Sequence, residues 1–367
     1  MSAAIDSGLG APHIGTLPGG PLGTIADVPG VTVGHCTLDQ GALQTGVTVV
    51  RPHRGNPFVD KVPAAASVIN GFGKSIGLVQ VEELGTLETP IALTNTFGVA
   101  SAAQAQIRAA IRANPQIGRE WSTVNPLVFE CNDGYLNDIQ ALAVTEQHFN
   151  DAFDSASTQV ASGSVGAGRG MSCFDLKGGI GNASRVVEVA GRGYTVGALV
   201  LANFGRLPML TIDGTPLGRL LAERARAAQA ACETAAANAT TKPEQGSIIM
   251  IVATDAPLDA RQLKRLSLRA AAGLARTGSV YGHGSGDIAL AFSTAYTVPH
   301  AADFVTLPPL VADARLDPLF RACADSVEQA IVDALWSAVS VTGRDGHRRL
   351  SLHDGVPDLA QLLTPAR

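Results

Sequence analysis

Apolar and polar positions fall along this chain in short blocks whose lengths separate strands from helices. Apolar, largely β-branched runs at Val31–Val33 and Val47–Val50, punctuated by Pro29-Gly30 and Gly34, predict strands and turns at the start of the fold. Residues 98–113 place Val99, Ala102, Ala103, Ile107 and Ala110 on one stripe and read as a helix. A strand is expected over Pro126–Glu130, running into the turn sequence Cys131-Asn132-Asp133-Gly134. Two further strands are expected at 185–190 and 194–202. A helix over 216–237 then fades into the polar stretch Asn238–Gln245, which reads as an exposed loop. That loop ends abruptly at Gly246-Ser247, followed by the apolar strand Ile248–Ala253. Asp259 and Gln262 have capping-box spacing, and the helix they open carries Leu263, Leu266, Ala270, Ala271 and Leu274 on one face. A strand at Ile288–Phe292 and a helix near 320–339 follow. Strands and helices mix without a regular βαβ cadence, so the predicted class is α+β, organised as one unit without internal repeats.

Composition narrows the function classes. Of 367 residues, 46% are hydrophobic, enough for a large core, and 16% are charged with a net charge of −5. That balance, with only 5% aromatics, argues against a nucleic-acid partner. The longest apolar stretches, such as Val196–Ala202, have strand length rather than the ~20 residues of a membrane helix, so no membrane partner is expected. The N-terminal stretch has neither a basic segment nor an apolar run, so no secretory signal is expected. Cys36, Cys131, Cys173, Cys232 and Cys323 are scattered without a CxxC. This fits reduced thiols in the cytoplasm better than a disulfide framework or a zinc site, and no metal or cofactor is expected.

Three glycine motifs are declined. Gly73-Lys74-Ser75 resembles the end of a Walker A, but Val68 stands where its first glycine is needed. Gly166, Gly168 and Gly170 alternate, and Cys173 replaces the glycine that a dinucleotide fingerprint requires. Residues 73–77 match G-x-S-x-G, yet no convincing strand precedes them and no helix is evident after them.

Gly246-Ser247 carries more chemistry. A serine hydroxyl needs an adjacent base to become a nucleophile. A serine freed as a chain N-terminus brings its own, an α-amine with pKa near ~8. Making that terminus requires cutting the preceding bond, and Gly246 suits this by allowing strained dihedrals and close approach of the hydroxyl. Taken alone, a Gly-Ser at a loop–strand border is also an ordinary turn.

The wider sequence resolves the ambiguity. GVTVGHC at 30–36, TGVTVV at 45–50, NDGYLND at 132–138, GAGRGMSCFDLKGGIGNASR at 166–185, LANFG at 201–205, GSIIMIVATDAPL at 246–258 and GHGSGDIALAF at 282–292 occur in order. Together, from about residue 22 to about residue 300, they resemble the DmpA/β-aminopeptidase family, the self-processing N-terminal-serine hydrolases. The resemblance implies a four-layer α-β-β-α sandwich, with one catalytic domain over 1–367 cut into an α chain 1–246 and a β chain 247–367. It implies a tetramer of processed heterodimers and no cofactor. Ser247 matches the residue that cleaves its own preceding bond and becomes the nucleophile. Ser285 matches a second active-site serine, and Asp287 stands where relatives carry an acidic partner for it, sometimes a Glu. Asn203 matches the side-chain donor to the oxyanion, and Glu130 the carboxylate that binds the substrate ammonium.

Each residue has a plainer reading. Asn203 could end a strand in a turn, Ser285 could fill a loop, and Asp287 could cap a loop or pair with His283. Glu130, ending an apolar strand, wants a partner, for which Lys177 and Arg169 are structural candidates. The expected activity is release of small N-terminal residues, such as β-Ala, Ala, Gly or D-Ala, from short peptides, amides or esters. An ω-amino-acid oligomer amidase and an ornithine-acetyltransferase-like enzyme are the rivals, though a Thr nucleophile would be expected for either. Outside enzymology, the rival is an uncut module whose glycine loops cradle an anion.

Overall fold

The computed structural model of the protein describes residues 10–231 and 245–363. The strands that build it are β1 (Thr32–Gln40), β2 (Leu43–Arg51), β3 (Asp60–Gly71), β4 (Ile91–Asn95), β5 (Leu127–Cys131), β6 (Gly179–Val189), β7 (Arg192–Asn203), β8 (Gln245–Thr254) and β9 (Gly284–Ser293). The helices that cover them are α1 (Val99–Ala113), α2 (Glu146–Asp154), α3 (Ala260–Arg276) and α4 (Asp317–Trp336). A further helix, Leu217–Ala231, leads away from β7. The rest of the helix expected to 237, the polar loop at 238–244 and Cys232 lie outside the described residues.

One sheet runs β1-β2-β4-β5, and a larger one runs β3-β9-β8-β7-β6 with a short edge at Val298–Pro299. Side chains alternate across a strand, so each of these strands feeds two cores. In β8, Ile248, Met250 and Val252 belong to the core beneath α3 and α4, whereas Ile249, Ile251 and Ala253 pack between the sheets against Leu127 and Phe129 of β5. On the far side, Val49, Ala92 and Val128 pack against Ala102 of α1 and Phe149 of α2. Three stacked cores make four layers, helices–sheet–sheet–helices. The expected α+β sandwich is therefore the observed architecture.

The central strands β8 and β9 pair in parallel, which two short strands cannot do through a tight turn. α3 supplies the crossover. Its capping box forms as expected: Asp259 Oδ1 accepts from Gln262 N–H at 2.7 Å, and Gln262 Oε1 accepts from Asp259 N–H at 3.2 Å. No helix among the described residues is long and apolar enough to cross a membrane.

Candidate active site

Ser247 lies near the start of β8, paired with Asn203 at the end of β7 and with Gly286 in β9. Paired residues share a sheet face, and the alternation that sends Ile249 and Ile251 between the sheets sends Ser247 and Asn203 the same way. Ser247 is buried, at 6% exposure. Its hydroxyl donates to the carbonyl oxygen of Gly246 at 2.8 Å and accepts from the Gly286 N–H at 3.2 Å. The hydroxyl is thus held against the carbonyl oxygen of its own preceding peptide.

Of the two reasons the sequence suggests for Gly246, close approach of the hydroxyl is seen at 2.8 Å, and a left-handed φ is not. A Cβ there would stand 2.5 Å from the backbone oxygen of Asn203 and 2.7 Å from the Cα of Phe204. Close passage of β7 leaves no room for a side chain.

Asn203 is oriented by two backbone groups. Ser172 N–H donates to its Oδ1 at 2.8 Å, and its Nδ2 donates to Asn132 O at 2.9 Å. A backbone N–H can meet only the oxygen of a carboxamide, so the amide has one sense, with Nδ2 held as donor. It ends a strand, as its plainer reading supposed, but in doing so it faces Ser247.

Ser285 and Asp287 are both 1% exposed, and Ser285 Oγ donates to Asp287 Oδ1 at 2.5 Å. They sit inside β9, so Ser285 is not loop filling. Their register partners are Gly246 and Ile248, which places the pair beside the Gly246–Ser247 peptide. No hydrogen bond joins Ser285 to Ser247 Oγ in the uncut chain. The Asn70 side chain, donating to Gly282 O at 3.1 Å and to Ser285 O, ties the approach to β9 in place.

Glu130 departs from the plain structural expectation. Neither Lys177 nor Arg169 pairs with it: the Lys177 ammonium goes to backbone carbonyls, and Arg169 Nε donates to Gln44 Oε1 at 2.7 Å. The carboxylate, 3% exposed, instead accepts from Lys74 N–H at 2.7 Å and from the Thr96 hydroxyl. No ion pair to it forms among the described residues. A Cβ placed on Gly73 would lie 3.5 Å from Glu130 Oε1 and 3.8 Å from Gly286 Cα, so Gly73 packs between the carboxylate and the strand residue that contacts Ser247. Cys131 follows, its thiol donating to Ser247 O at 3.4 Å, and burial pushes that thiol well above its usual pKa.

The declined G-x-S-x-G does lie between a strand, β3, and a short helix, Leu78–Leu84, contrary to the sequence reading. Ser75 Oγ is nonetheless buried without a hydrogen-bond partner, so no base activates it. Ser172, Asn132 and Gly286 act through backbone atoms, and backbone roles leave no residue-type signal to read. Lys177, a lone cation among glycines in 176–181, was the legible clue to an organised loop.

The model of peptidase family S58 matches residues 23–349. β-Peptidyl aminopeptidase BapA of Sphingosinicella microcystinivorans is 40% identical over 351 residues, 92% of this chain and 87% of the relative. Among solved structures, the PH0078 protein from Pyrococcus horikoshii OT3 superposes with a TM-score of 0.87 at 45% identity, covering 95% of this chain and 96% of that one. The L-aminopeptidase D-Ala-esterase/amidase from Ochrobactrum anthropi, described as a prototype serine aminopeptidase and a variant of the Ntn-hydrolase fold, gives 0.83 at 34% identity, covering 95% and 98%. The chain belongs to peptidase family S58, and it is a serine-type aminopeptidase.

Proposed function

We propose that the protein cuts itself before Ser247 and then uses Ser247 to release small N-terminal residues, β-Ala among them, from short peptides, amides or esters. The observation that carries this reading is the Ser247 hydroxyl held at 2.8 Å on the Gly246 carbonyl oxygen, in an uncut chain. Attack of Oγ on the Gly246 carbonyl carbon closes a five-membered ring and transfers the acyl group from nitrogen to oxygen. Water then hydrolyses the ester, leaving a carboxylate on Gly246 and an α-amine on Ser247.

The freed amine takes the Oγ proton as the hydroxyl attacks a substrate carbonyl. Asn203 Nδ2 stabilises the oxyanion, and removing one such donor typically costs roughly 3–4 kcal/mol of transition-state stabilisation. The Ser285–Asp287 pair, buried beside the new terminus, orients its proton. Glu130 receives the substrate ammonium, which counts back from the scissile bond only one residue and so imposes aminopeptidase action. Small residues are expected because Gly73 and Gly286 pack closely about the carboxylate, and the β-peptidyl relative supports β-amino acids among them.

Intact-mass measurement tests this directly. Fragments 1–246 and 247–367 are expected from the wild-type chain, and an uncut chain from Ser247→Ala. A single uncut wild-type species that still hydrolyses β-Ala p-nitroanilide would overturn self-processing, and fragments from Ser247→Ala would assign the cut to another protease.

A further inference from the structure

Within the glycine-rich stretch lies a cation that the chemistry above does not use. Lys177 is 0% exposed, and its ammonium donates to Gly168 O at 2.9 Å, Met171 O at 3.0 Å and Gly178 O at 2.8 Å. Three acceptors match the three donors of a charged ammonium, one more than a neutral amine offers. Burial, and secondarily Arg169, lower its proton affinity well below the usual lysine range, while Cys173 and Asp133 work the other way; the three carbonyl contacts are the geometry a charged ammonium would satisfy.

One of those carbonyls leads to the active site. Met171 C=O and Ser172 N–H are two ends of the same peptide group. The first accepts from Lys177, and the second donates to Asn203 Oδ1 at 2.8 Å. Asn203 Oδ1 is conjugated in turn with Nδ2. Ammonium, peptide and carboxamide therefore stand in series, ending on a donor that faces Ser247. The lysine's segment also lies directly on β7: a Cβ on Gly178 would be 2.3 Å from Ala202 O, one residue before Asn203.

We propose that Lys177 is a positioning residue for the reaction at Ser247, acting through the Met171–Ser172 peptide to orient and polarise the Asn203 carboxamide. The inference rests on the reading of Asn203 as oxyanion donor. An ammonium donating to the Met171 oxygen draws electrons through the peptide and makes Ser172 N–H a stronger donor. The same displacement repeats across the Asn203 amide and strengthens Nδ2–H when negative charge develops beside it. Such hydrogen-bond chains reinforce one another by about 10–30% per bond. The loop's glycines permit the close packing; the lysine gives it one electrical direction.

The test is a double-mutant cycle on processed enzyme, read as kcat and KM for β-Ala p-nitroanilide. Asn203→Ala alone is expected to lower kcat by about 100-fold or more. Lys177→Met is expected to lower kcat about tenfold with KM little changed, and by under about threefold when Asn203 is already Ala, because interacting groups are non-additive. Losses that simply multiply would show that Lys177 supports the fold without acting through Asn203, and would overturn the proposal. Undiminished kcat in Asn203→Ala would instead remove the oxyanion reading and this proposal with it. If Lys177→Met does not fold, a backbone ester at Ser172, which deletes the N–H and leaves Lys177 in place, carries the test. A wild-type kcat from that ester would break the chain at its middle link and overturn the proposal.

Discussion

Glu130, 3% exposed, accepts from donors on both oxygens yet meets no cation among the described residues, a place that a substrate ammonium would fill. Glu130→Gln keeps the shape and removes the charge. Charge-assisted hydrogen bonds contribute about 1.5–3 kcal/mol, so kcat/KM for β-Ala p-nitroanilide should fall roughly tenfold to hundredfold, mainly through KM. Self-cleavage involves no ammonium and should proceed as in the wild type by intact mass. An unchanged KM would remove Glu130 from substrate binding. Asp133, two residues beyond Cys131 in the expected turn, behaves oppositely. Burial raises its pKa to about 6, against hydrogen bonds such as that from Asn137 Nδ2 at 3.0 Å. The folded state therefore binds the proton more tightly than the unfolded state, so this contribution is complete below about pH 4 and lost as pH rises through about 6. A shift of that size corresponds to about 3 kcal/mol at most. Asp133→Asn should flatten the pH dependence of urea-unfolding stability between about pH 4 and 6, and an identical slope in both proteins would show the carboxyl is not responsible.

At the scale of elements, the start of β8 is set by what passes next to it. Gly246→Ala brings a Cβ to 2.5 Å from Asn203 O, so β7 and β8 must separate or Gly246 must leave its register. Either response moves the Gly246 carbonyl off Ser247 Oγ, and self-cleavage followed by gel should slow at least about tenfold, a shift of about 1.4 kcal/mol in the barrier. Cleavage at the wild-type rate would mean the clash is relieved without moving the bond. The strands β7 and β8, and the helices α1, α3 and α4, were legible from local apolar runs or stripes, and α3 also from its capping box. Nothing in Asp60–Gly71 reads as a strand, since Pro63 and Ala64–Ala66 are poor strand residues; burial between β9 and the short strand Thr86–Leu87 overrides local preference there. The candidate site divides the same way. Ser247, Asn203, Ser285, Asp287 and Glu130 are named by side-chain type, whereas the Ser172, Asn132 and Gly286 contacts belong to the backbone and exist only once distant segments are brought together.

For the whole molecule, the proposed cut falls at the edge of a layer that neither product can complete alone. Residues 247–367 would supply β8 and β9, the middle of the large sheet, and both helices that cover it. Residues 1–246 would supply the flanking strands β7 and β3, which bracket that pair by hydrogen bonding from either side. Ile248, Ile249, Met250, Ile251 and Val252 are each 0% exposed, and separating the chains would uncover both their faces. At about 1.5–3 kcal/mol per large aliphatic side chain, that strand alone opposes dissociation strongly. The same sheet would keep Ser247 opposite Asn203 after the proposed cut, so that an amine could form without dispersing the site. Processed protein should therefore elute as one species on gel filtration, show both chains only under denaturing conditions, and unfold in a single cooperative transition. Chains that part in native buffer, or two separate melting transitions, would mean the sheet does not bind the products as its hydrogen bonding implies.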